Sequence, residues 1–122
     1  MYFINKRLLK LLHVAVPSKA PVLTFVTVLN STSVEVEWQS VPEEFTHGII
    51  TKYIIFYTVE KETGEKELAA SLLKAVVNGL RQSATYSFRV QAATVKGAGP
   101  TSSPKKATTE GEDIAPFHKH SN

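Results

Sequence analysis

Four histidines, two acidic clusters and one Asn-Ser-Thr triplet are the residues of this 122-residue chain best suited to chemistry. His13, His118 and His120 fall in the terminal segments, and His47 falls in a loop-like stretch, VPEEFTHG (41–48). A hydrolase needs a nucleophile, a base and an oxyanion site in one concavity. None of these histidines is expected beside a strand-borne Ser or Asp, so no catalytic residue is assigned. His118 and His120 could bind a metal loosely, but two imidazoles at i, i+2 lack the further ligands that a zinc site requires. Glu43 with Glu44, and the run EKETGEKE (60–67), gather carboxylates. Calcium needs about six or more converging oxygens, and a run that interleaves Lys with Glu is expected to be a solvated turn. No metal, cofactor or small-molecule substrate is therefore expected. The triplet Asn30-Ser31-Thr32 is an N-glycosylation sequon and points weakly towards the secretory route.

The bulk composition bounds the class of the chain. Hydrophobic residues make up 43% of the chain and charged residues 20%, an ordinary globular balance that can bury one core. The net charge of +3 is spread along the sequence with no basic stripe interleaved with aromatics, which argues against nucleic acid as a partner. No cysteine is present, so neither disulfides nor thiolate metal sites are available. No apolar run approaches the ~20 residues of a spanning helix.

The elements that must position these residues are strands. Residues 1–16 stand apart as an N-terminal flank, either disordered or helical. As a helix the flank would place Ile4, Leu8, Leu11, Leu12 and Ala15 on one face, with Lys6, Arg7, Lys10 and His13 roughly opposite. Two prolines make 17–20 a linker. From Pro21 to Thr109 short strands alternate with turns. Val22 to Leu29 is the first, and Val34 to Trp38 the second, with Val34, Val36 and Trp38 on one face and two Glu residues on the other. IITKYIIFYTV (49–59) is the third. EKETGEK is expected to be a turn with Gly64 near its tip, followed by short strands at 67–71 and 74–77. TYSFRVQAAT (85–94) alternates again, KGAGP (96–100) is expected to be a tight loop, and 102–108 is a last strand interrupted by Pro104. The tail, 110–122, has a disordered composition. The class is all-β, an antiparallel sandwich.

Four features in order carry a family resemblance. Trp38 ends the second strand on its inward face. The third strand follows G-x-I-x-x-Y-x-I-x-Y through Gly48, Ile50, Tyr53, Ile55 and Tyr57. L-x5-Y-x-F-x-V-x-A runs through Leu80, Tyr86, Phe88, Val90 and Ala92. The closing G-x-G-P-x-S-x-P runs through Gly97, Gly99, Pro100, Ser102 and Pro104, with Thr109 beyond. Residues 21–109 thereby resemble a fibronectin type III domain. The resemblance implies an immunoglobulin-like sandwich of seven strands, with A, B and E in one sheet and C′, C, F and G in the other. It also implies that Tyr86 is a tyrosine corner whose hydroxyl meets backbone near Leu80. Members of that family serve as interaction and spacer modules in receptors and adhesion proteins, so the partner would be a protein or an adjacent domain, the location extracellular or at the cell surface, and the isolated domain monomeric. An intracellular sarcomeric-type repeat and an accessory domain of a secreted carbohydrate-active enzyme are the alternatives. The sole Trp is expected inside, which removes the usual sugar-stacking platform.

One strand departs from the pattern. If Tyr53, Ile55 and Tyr57 face inward, Ile54 and Phe56 face outward, where polar residues are usual. Three outcomes are open: cover by the stems of Arg89 and Lys side chains, docking of a partner or neighbouring domain, or self-association. Ile54, Phe56 and Arg89 are therefore candidate contact residues, together with Lys96 at the expected tip of the loop before the last strand.

Overall fold

The computed structural model describes residues 14–111. The amphipathic reading of the first thirteen residues, the three terminal histidines and the tail beyond residue 111 lie outside the described residues. The strands are β1 (Val22–Val28), β2 (Val34–Gln39), β3 (Lys52–Val59), β4 (Glu62–Ala69), β5 (Lys74–Val77), β6 (Thr85–Thr94), β7 (Gly97–Thr101) and β8 (Lys105–Thr108). They form two antiparallel sheets, β1-β2-β5 and β4-β3-β6-β7, with β8 also paired to β6.

The core follows from period-two alternation. Val34, Val36 and Trp38 of β2 meet Tyr53 and Ile55 of β3 and Phe88, Val90 and Ala92 of β6, closed by Leu23, Val77, Leu80 and Tyr86. The rings of Trp38 and Tyr53 pack with centroids 5.4 Å apart and planes tilted by 60°. Burial raises the pKa of the Tyr53 hydroxyl above the ordinary phenol value, opposed by a side-chain hydrogen bond with Ser40. The Trp38 indole N–H finds no hydrogen-bond partner among the described residues, so its retention inside rests on apolar area alone.

Four local expectations are corrected. The strand after the third is not 67–71: β4 begins at Glu62, and the turn shrinks to Glu60-Lys61, where Glu60 adopts φ 53°. Gly64 is not at a tip but opposite Tyr57, where any Cβ would collide with the phenol ring. The ring fills the space a side chain would take. GAGP (97–100) is strand rather than loop: Gly97 pairs with Thr94 and Ala98 with Ala93, leaving Val95-Lys96 as the turn. The last strand is split, giving eight strands in place of seven. Proline 104 has no N–H to donate to the ladder. At the break the Ser102 hydroxyl accepts from the Val90 N–H at 3.0 Å, while the Ser102 N–H donates to the Val90 carbonyl at 2.8 Å.

The linker expected at 17–20 is also packed. The Ala15 N–H donates to the His47 carbonyl at 2.7 Å and the Ser18 N–H to the Phe45 carbonyl at 2.9 Å. The Thr94 hydroxyl donates to the Ala15 carbonyl at 2.6 Å. Pro17 is buried against β7, and its carbonyl lies so close to Gly99 that no Cβ could fit there. At the other end, the Thr109 N–H donates to the Ala84 carbonyl, the Thr109 hydroxyl to the Arg81 carbonyl, and the Ser83 N–H to the Glu110 carbonyl. Strand β6 runs from Thr85, beside this exit, to Thr94, beside the entry. At about 3.3 Å per residue the two ends stand about 30 Å apart.

Tyr86 ties the exit to the core. Its ring packs against Tyr57 and Phe88, and its hydroxyl accepts from the Arg81 N–H at 2.8 Å. Tyr86→Phe leaves that N–H without its partner and is expected to cost about 1–2 kcal/mol in urea unfolding. An unchanged midpoint would show that the bond does not hold the crossover.

Candidate interaction surface

The outer face of the β4-β3-β6 sheet is assembled by register. Lys52, Ile54, Phe56 and Thr58 form its central row. Ile54 stands between Glu67 and Gln91, and Phe56 between Glu65 and Arg89. Lys52 bridges to Glu67 at 3.0 Å. The Gln91 side-chain amide donates to the Gly99 carbonyl at 2.8 Å, and the Thr58 and Thr63 hydroxyls meet at 3.1 Å. Glu67 and Gln91, the long side chains on either side of Ile54, are thus tied down.

This arrangement corrects the reading of Ile54 as an exposed contact residue. Ile54 points away from the core yet is only 6% exposed, against 0% for inward Ile55. Its neighbours cover it, so it serves as the floor of a small second core. Phe56 is half-buried. Arg89 is exposed and makes no ion pair among the described residues. The residues of this face that an approaching surface can reach therefore include half-buried Phe56 and exposed Arg89, Glu65 and Glu67. An aromatic flanked by unlike charges suits a partly polar protein surface. Lys96 is exposed at the β6–β7 turn, at the entry end of β6 and so remote from Phe56. It is not part of the same patch.

The remaining candidates fall into place by burial. Trp38, Tyr53, Ile55, Leu80, Tyr86, Phe88 and Val90 are all core. His47 is exposed, and its Nε2 lies 2.9 Å from the Ser18 hydroxyl, which helps to seat the entry segment. No group of three or more metal-ligating side chains gathers among the described residues. Sequence reasoning missed the exposed Val95 and the apolar residues Phe25, Leu72 and Leu73 at the surface. It also missed Lys19 over the Phe45 ring at 4.2 Å. The one available signal for the entry segment was glycine at 48 and 99, positions where another part of the chain comes close.

Two sheets in this order, a buried Trp on β2 and a tyrosine hydroxyl tied to the crossover define an architecture that comparison can test. The fibronectin type III domain family model matches residues 19–108. The chain belongs to the fibronectin type III domain family. The fibronectin type III match extends to curated relatives. Netrin receptor DCC from Homo sapiens is 37% identical over 100 residues, covering 81% of this chain and 7% of the relative. Receptor-type tyrosine-protein phosphatase F from Mus musculus is 38% identical over 104 residues, covering 79% of this chain and 5% of the relative. The chain thus spans a small part of each. Among solved structures, the third fibronectin III domain of human KIAA0343 protein superposes with a TM-score of 0.73 at 28% identity, covering 82% of this chain and 89% of that one.

The two outward apolar residues of β3 separate in their energetics. Ile54→Ser empties a covered site and is expected to cost about 2–4 kcal/mol. Phe56→Ser removes a half-exposed ring and should cost about 1 kcal/mol. Equal losses in chemical denaturation would show that Phe56 is as covered as Ile54 and would remove it from the accessible face.

Proposed function

We propose that this domain is a non-catalytic protein-interaction and spacer module in the extracellular part of a receptor or cell-adhesion protein. The observation that carries the reading is the fixing of the entry and exit segments at opposite poles of one sandwich. Entry is held by Ala15, Pro17 and Ser18, and exit by Thr109 and Glu110. A chain that enters and leaves through backbone hydrogen bonds transmits the orientation of one neighbour to the next. A chain joined through loose ends would not. Two receptor proteins among the relatives, each containing a matching segment, support the setting.

The interaction role is assigned to the outer face of the larger sheet. Phe56 supplies the apolar anchor, and Arg89, which has no ion pair among the described residues, the cation beside it. A few anchors of this kind dominate the binding free energy at protein surfaces. The partner is an adjacent domain of the same polypeptide or a separate protein chain. Lys96, on the β6–β7 turn, addresses whatever sits beyond the entry pole.

The spacer role is tested by distance. The chain lacks cysteine, so Val16→Cys with Glu110→Cys gives two unique dye sites, one at each pole. Single-molecule energy transfer should return one narrow distribution, on the order of 30 Å between the poles. Broad or multiple distances under native conditions would contradict the reading.

A further inference from the structure

We propose that Asn30 is the acceptor of an N-linked oligosaccharide, attached at the β1–β2 turn. The inference rests on the extracellular reading above for its biological setting, but the site itself is argued from the turn. Asn30-Ser31-Thr32 is the sole Asn-x-Ser/Thr triplet of the chain. It lies between the end of β1 at Val28 and the start of β2 at Val34. The turn has two sides. Ser31 is 1% exposed and Ser33 8%, and both are turned into the domain. Ser33 donates from its hydroxyl to the Asn78 side chain at 2.9 Å, and the Leu80 N–H donates to the Thr32 carbonyl at 2.9 Å. The protein therefore grips the turn through Ser33 and the Thr32 backbone. The side chains of Asn30 and Thr32 are left on the outer side, both half-exposed.

The amide of Asn30 is oriented for this role. Its Oδ1 accepts the Thr32 N–H at 2.9 Å, with the Thr32 hydroxyl at 3.4 Å. Its Nδ2, the atom that must carry the sugar, has no hydrogen-bond partner among the described residues. Attachment at Nδ2 consequently displaces no contact that the fold uses. The surroundings leave room as well. Leu29 beside it is exposed, and exposed Phe25 lies further along the same edge strand. Attached sugars would project from this outer edge of the smaller sheet. Phe56 and Arg89 belong to the other sheet, so they stay open to a partner.

The donor is a lipid-linked oligosaccharide diphosphate. The Asn30 Nδ2–C1 bond forms as the bond from C1 to the diphosphate oxygen breaks. The lipid diphosphate leaves with the bonding electron pair, and one amide proton is lost to a base of the transferase. The residue keeps its remaining N–H and its Oδ1, so the Thr32 N–H retains its acceptor.

The full 122-residue chain, placed behind a cleavable secretion leader, is expressed in a eukaryotic host, and both secreted and retained protein are examined. Wild type and Thr32→Ser should show a band shift that peptide-N-glycosidase F removes, with conversion of Asn30 to Asp found by mass spectrometry. Thr32→Val keeps the backbone of the turn and should lose the shift. Wild-type protein that enters the pathway and remains unmodified would overturn the proposal, as would a shift that persists in Thr32→Val. The leader delivers the chain whatever its native location, so failure here condemns the site alone. The spacer reading is judged separately, on unglycosylated protein.

Discussion

Strand β6 is the constraint on which the rest of this domain depends. Its ladder joins β3 on one side and both β7 and β8 on the other. Its inward residues Tyr86, Phe88, Val90 and Ala92 are core, and its outward residues Arg89 and Gln91 flank Phe56 and Ile54. At one end the Thr94 hydroxyl holds the entering chain. At the other, Tyr86 accepts from Arg81, and the neighbouring Ala84 pairs with Thr109 at the exit. Core, face and both poles are thus referred to one ten-residue strand. A shift of one residue in its register would turn every inward residue outward and release both ends together.

Edges are handled by charge and by reach. Strand β4 lies at the rim of the larger sheet and carries Glu62, Glu65, Lys66 and Glu67, which discourages pairing with another chain. Lys66 extends to the Val76 carbonyl of β5 in the opposite sheet, at 2.7 Å. Arg81 reaches the carboxylates of Glu60 and Glu62, tying the crossover loop to the β3–β4 turn. These ion pairs are largely exposed, so each contributes little stability.

The alternating strands were legible from sequence because period two survives wherever one face is wet. VEVEW and TYSFRV announced β2 and β6, and Tyr86 was found where the motif put it. Strand β4 was hidden because its exposed face is charged and its inner position 64 is glycine, which together look like a turn. Only the ring of Tyr57 over Gly64 explains why a strand tolerates that composition. The entry segment reads as a linker in sequence because it docks through backbone groups, Ala15, Phe45 and His47 among them, and backbone bonds leave no trace in residue type. For Ile54 the sequence leaves cover by neighbouring side chains as one of three open outcomes. Sequence gives the direction of a side chain, whereas its cover depends on how neighbouring long side chains lie. The Lys52–Glu67 pair and the Gln91–Gly99 bond fix that cover here.

The proposed spacer role requires poles that open no more readily than the core. Native-state hydrogen exchange at single-residue resolution measures that directly, because a segment that frays exchanges with a smaller opening free energy than the global one. The amides of Ala15, Ser18 and Arg81 should exchange with the same opening free energy as Val90 in the middle of β6. Ala15 and Ser18 exchanging near the rate of unprotected amides, while Val90 stays protected, would contradict the account of a domain whose ends are part of its core.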